Sequence, residues 1–100
     1  MHTHTLNVPL SPEARMVMLR ELLTEVRASL GAGPLTFTWR EVSGERMPVL
    51  RIDIYNRHGR LHAVRLNLPP DNPVHTAPCI DALIRAFSGL LSQSPSPEKQ

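Results

Sequence analysis

The chain has 100 residues, 41% hydrophobic and 20% charged. That size and balance fit one domain with a core of its own and exclude both a second core and compositional disorder. A formal net charge of +2, with ten arginines but a single lysine, permits contact with nucleic acid without requiring it.

The N-terminus reads Met-His-Thr-His-Thr. It carries neither the basic start nor the apolar run of a secretion signal, so the cytoplasm is the expected location. Residues 1–10 show no apolar periodicity and include Pro9, which predicts a flexible arm. Ser11-Pro12-Glu13 then opens a helix. Serine caps, proline fits the first helical position, and glutamate favours the positive end of the helix dipole. Met16, Leu19, Leu22, Leu23, Val26 and Leu30 follow at helical spacing, and Gly31-Ala32-Gly33-Pro34 ends the helix.

From Leu35 the period becomes two. Leu35, Phe37 and Trp39 alternate with Thr36, Thr38 and Arg40, the pattern of a half-buried strand. Ser43-Gly44-Glu45 is a turn. Leu50, Ile52 and Ile54 alternate with Arg51, Asp53 and Tyr55 in a second strand. Asn56-Arg57-His58-Gly59 is another turn. In the third strand His62, Val64, Leu66 and Leu68 face one way and Ala63, Arg65 and Asn67 the other. Pro69-Pro70-Asp71-Asn72-Pro73 stops that strand. Thr76 and Pro78 start a last helix, with Ile80, Leu83, Ile84, Phe87, Leu90 and Leu91 as its apolar stripe. Residues 93–100 form a flexible tail.

The expected fold is therefore α+β in the order α-β-β-β-α, a single domain over residues 11–92. Three strands form an antiparallel meander, and both helices pack on one face. The expected core includes Leu19, Leu22, Leu23, Val26, Phe37, Trp39, Leu50, Ile52, Ile54, Val64, Leu66, Ile80, Leu83, Ile84 and Phe87. The other sheet face is open and carries Thr36, Thr38, Arg40, Arg51, Asp53, Tyr55, Arg65 and Asn67. The element order resembles that of the double-stranded-RNA-binding domain. The family's last helix opens with a lysine cluster that grips phosphates, whereas here that stretch reads Thr76-Ala77-Pro78-Cys79-Ile80-Asp81. The resemblance stops at the order, and the chain is not assigned to that family.

No catalytic constellation emerges. His2 and His4 form a His-x-His pair with no further ligands fixed nearby, so no metal site is expected. His75 and Cys79 are four apart but straddle a helix start. His58 and His62 flank a turn, with His62 read as a half-buried or edge side chain. Cys79 lies near a helix N-terminus without an orienting base or a glycine-rich oxyanion turn, which favours a packed thiol. A lone cysteine also excludes an internal disulfide. The only glycine-rich stretch follows a helix, whereas phosphate-cradling loops precede one. No cofactor is expected.

The uneven feature is arginine. Arg40, Arg46, Arg51, Arg57, Arg60 and Arg65 all fall within the meander. Arginine's planar fork suits carboxylates and phosphates, and arginine beside tyrosine is typical of interface hot spots. The expected partner-binding residues are Arg40, Arg51, Asp53, Tyr55, Arg57, Arg60 and Arg65. The first expectation is a non-catalytic protein-interaction module: an inhibitor, adaptor or assembly subunit. Small domains of this kind are common in phage and mobile elements, where some block host defence complexes such as CRISPR machinery. The alternative is a nucleic-acid-binding domain using the same face. No membrane partner is expected, because the longest uninterrupted apolar run, Met16–Leu19, is far too short to span a bilayer. A bare edge strand makes a homodimer compatible with either reading.

Overall fold

The computed structural model describes residues 2–42, 48–68 and 77–93. The elements are β1 (His2–Asn7), α1 (Pro12–Leu30), β2 (Leu35–Val42), β3 (Val49–Asn56), β4 (Leu61–Asn67) and α2 (Ala77–Gln93). They form an α+β domain with a four-stranded sheet in the order β1-β4-β3-β2. The antiparallel β2-β3-β4 meander is present. The three-stranded expectation is corrected by β1, which pairs parallel with β4 and makes the sheet mixed.

The N-terminal segment is thus a strand and not an arm. In sequence His2, His4 and Leu6 alternate with Thr3, Thr5 and Asn7, a period of two hidden by imidazoles that do not count as apolar. The Val8 N–H donates to the Asn67 carbonyl at 3.0 Å and extends the ladder. Pro9 follows, with no N–H to continue it.

α1 forms as its ends dictate. The Ser11 hydroxyl accepts from the Ala14 N–H at 3.0 Å. At the other end Gly31, at φ 85°, donates to the Arg27 carbonyl. The Arg27 guanidinium reaches the Gly31 and Gly33 carbonyls, so groups left over by the helix end are met locally.

Both helices pack on one face of the sheet. Leu19, Leu22 and Val26 of α1 and Ile80, Leu83 and Phe87 of α2 share one buried core with Leu50, Ile52, Ile54, Val64 and Leu66. Phe37 packs edge-on against Phe87 at 5.4 Å between ring centres. Three expected positions differ. Leu23 is only half-buried and stands outside the core. Trp39 is 42% exposed, since β2 is an edge strand that the helices cover only at Leu35 and Phe37. His62 is buried at 4%, because β1 makes β4 an inner strand. The β3-β4 turn is held by Asn56. Its Oδ1 accepts from the His58 and Arg60 N–H groups, and its Nδ2 donates to the Leu30 carbonyl at the end of α1. Gly59 sits at φ 81°, the left-handed position that a three-residue hairpin loop needs. The expected cap at Thr76 and the tail from residue 94 lie outside the described residues, and α2 runs through Gln93.

Candidate binding face

The face away from the helices is left open by every described element. Side-chain alternation alone puts Arg40, Arg51 and Arg65 on it. The strand register goes further: Arg40 lies directly opposite Arg51, and Arg51 directly opposite Arg65. Thr5 of β1 completes the row beside Arg65. With strands about 4.8 Å apart, the three guanidinium-bearing positions span only ~10 Å.

One carboxylate answers them. The Arg51 Nε donates to Asp53 Oδ1 at 3.0 Å. Among the described residues Arg40 and Arg65 form no ion pair. Like charges directly opposite on neighbouring strands are destabilising, and here three stand in one line. The next rows are neutral or nearly so: Thr38 opposite Asp53 opposite Ala63, then Thr36 opposite Tyr55 opposite Leu61. Tyr55 shares the face but lies two same-face steps from Arg51, roughly 13 Å along the strand. Arg57 and Arg60 are exposed in the β3-β4 turn and do not join the row. Arg46 lies outside the described residues.

A face selected for stability alone would alternate charge along such a row. Arg40→Glu places a carboxylate opposite Arg51 and removes one repulsion. The expected result is a gain of about 0.2–1 kcal/mol, read as a melting temperature a few degrees higher by circular dichroism. A fall in stability would mean that the row is not strained by its own charge.

The other groups singled out in the sequence lie apart from this face. The His4 Nδ1 is 2.9 Å from Glu25 Oε1 on α1, and the His4 and His62 rings are 6.1 Å apart on the helix side. Among the described residues no three His, Cys, Asp or Glu side chains gather to hold a metal. Cys79 is partly buried in an apolar groove of about 310 Å³ with Pro12, Met16, Leu19 and Leu83; His75, its expected neighbour, lies outside the described residues. No described helix is long and apolar enough to cross a membrane. No family model, curated protein sequence or solved structure matches the chain.

Proposed function

We propose that this protein is a non-catalytic interaction module whose open sheet face receives an acidic surface of another protein. The in-register row Arg40-Arg51-Arg65 supports this reading above any other observation. Three forked donors within ~10 Å suit a compact cluster of carboxylates, each able to accept paired hydrogen bonds. Asp53 answers Arg51 alone, so the repulsion left in the row is relieved when further negative charge arrives, and the free protein is poised for such a partner.

Nucleic acid fits the face less well. Sheet surfaces that bind single strands stack bases on several aromatic rings. This face offers Tyr55, while Trp39 points to the helix side, opposite Ile52. The basic sign of the row also constrains the inhibitor, adaptor or assembly roles open to such a module. A nucleic-acid-binding cleft is itself basic, so this face does not act by imitating a nucleic acid; it docks on an acidic patch.

Tagged protein incubated with lysate of its own host is expected to retain a stoichiometric acidic protein after nuclease treatment, released by added salt. Retained material that disappears with nuclease would transfer the face to nucleic acid.

A further inference from the structure

The two edges of the sheet differ. β1 is six residues long, and Pro9 follows close behind it. β2 runs for eight residues, Leu35–Val42, without a proline, and it displays Trp39 at 42% exposure on the helix side. Pro34 borders β2 only at its start, and a long edge strand with no proline inside it is a template for another strand. A large exposed aromatic beside it points to a partner that covers both. We infer that a second copy of this chain supplies that partner, pairing β2 with β2 antiparallel across a two-fold axis to give one continuous eight-stranded sheet.

The sequence of β2 selects the register. Continuing the sheet requires facing residues of equal parity, so the axis passes through a residue position. An axis at Arg40 sets Arg40 against its own copy, like charge on like charge. An axis at Trp39 sets Trp39 against its own copy, so that neither indole reaches the cleft beside Phe37. An axis at Phe37 shortens the paired stretch to Leu35–Phe37–Trp39. An axis at Thr38 pairs residues 35–41 with 35–41 in full. It places Trp39 against Phe37 of the second copy, Arg40 against Thr36, and Glu41 against Leu35. No like charges face each other, and the aromatic pair forms twice.

The surface beside β2 is shaped for that register. Between β2 and α2 lies a cleft of about 390 Å³ lined by Phe37, Asp81, Ile84, Arg85 and Ser88. Trp39 of the second copy arrives next to Phe37, at the mouth of this cleft, with Ile84 and the Arg85 guanidinium beside it. Aromatic–aromatic and cation–aromatic contacts both favour an indole there. A second cleft of about 470 Å³ is lined by Arg27, Leu35, Ser88 and Leu91. Glu41 of the second copy faces Leu35 and so brings its carboxylate to the side where Arg27 stands. The aromatic side chains of the edge strand are thus complementary to themselves, while the Arg27 guanidinium stays on the Gly31 and Gly33 carbonyls.

The contact leaves the arginine row free. Arg40 and its counterpart lie about four residues apart along the joined strands, ~13 Å. Two basic rows therefore run on one continuous open face, related by the two-fold axis.

Sedimentation equilibrium of the full chain tests the pairing. The expected mass at high concentration is twice the 11.2 kDa of the single chain, falling towards it on dilution. Trp39→Glu, at a position outside the core, should keep the far-ultraviolet spectrum and weaken dimerisation at least ~30-fold, as loss of a central aromatic anchor does. In a Cys79→Ser background, Thr38→Cys should form an intermolecular disulfide on mild oxidation. Its side chains face each other at the axis, within reach of a bridge. Arg40→Cys should not, because its copies lie too far apart. A single-chain mass at every concentration would overturn the inference, and so would a dimer that Trp39→Glu leaves intact or that Arg40→Cys cross-links in preference to Thr38→Cys. The acidic-partner reading is tested on the other face, so either can fail alone.

Discussion

Changing Arg40, Arg51 and Arg65 together to glutamate is expected to abolish capture of the proposed acidic partner and to leave the fold standing. A hydrogen bond to a charged group is worth about 1.5–3 kcal/mol. Removing three such bonds, before any repulsion is added, lowers affinity by about 10³-fold or more at 1.4 kcal/mol per decade. Reversal adds carboxylates facing carboxylates and carries the effect beyond simple deletion. The cost to folding is small by comparison. None of the three side chains enters the core, and the one ion pair broken, Arg51 with Asp53, joins side chains 29% and 20% exposed; partly exposed pairs of this kind contribute about 0–1 kcal/mol. The triple lysine variant separates charge from geometry. Lysine keeps the sign but lacks the fork, so an intermediate affinity indicates paired hydrogen bonds and a wild-type affinity indicates long-range attraction alone. Titration calorimetry against the captured partner gives both numbers. Undiminished affinity in the glutamate variant removes this face from the binding surface.

The site is partly legible in the sequence, and the part that is not has a definite cause. Alternation has a period of two, so Arg40, Arg51, Asp53, Tyr55 and Arg65 can be placed on one face from their spacing. Which of them stand in the same row depends on register, and register is set by turn geometry. For β3 and β4 the turn itself is readable: Asn56 with Gly59 is a three-residue hairpin signal, and it brings Tyr55 opposite Leu61 and hence Arg51 opposite Arg65. Composition groups Arg57 and Arg60 with the face, but the same turn carries them off its end. The helices are legible because capping and 3.6-residue periodicity coincide, as at Ser11, Leu19, Leu22 and Val26. Trp39 illustrates the limit of parity. It faces the helices as its spacing requires, yet burial also needs a helix overhead, and no strand pattern says how far across the sheet a helix reaches. The strand β1 escapes a hydropathy reading because the parity that carries Leu6 begins with two histidines. Its parallel pairing with β4 also joins segments about sixty residues apart, with no turn to announce it.

That hidden strand carries the second large effect. A chain beginning at Pro9 is expected to lose about 3 kcal/mol of stability. Truncation removes the burial of Val8 and part of that of Leu6, each side chain worth about 1.5–3 kcal/mol when fully buried. It also uncovers the edge of β4, where Val64, Leu66 and Leu68 are fully buried. The entropy of ordering the strand, about 1–2 kcal/mol per residue, is recovered on truncation. It opposes the loss of the ladder hydrogen bonds, of the buried Val8 and Leu6 surface and of the cover over β4, so the net change is a small part of the gross terms. Small domains hold about 5–15 kcal/mol in all, and for one of this size the loss corresponds to a melting temperature lower by roughly 12–24 °C. Thermal unfolding followed by circular dichroism measures it. Leu6→Asp should act in the same direction, since Leu6 packs against the core, while Thr5→Asp, on the open face opposite Arg65, should be neutral or slightly stabilising. An unchanged melting temperature after truncation would return residues 1–8 to the status of an arm. A lowered one, with Thr5→Asp tolerated, would establish that the inner position of β4, and with it the rigid seat of Arg65, depends on a strand hidden from hydropathy by two histidines.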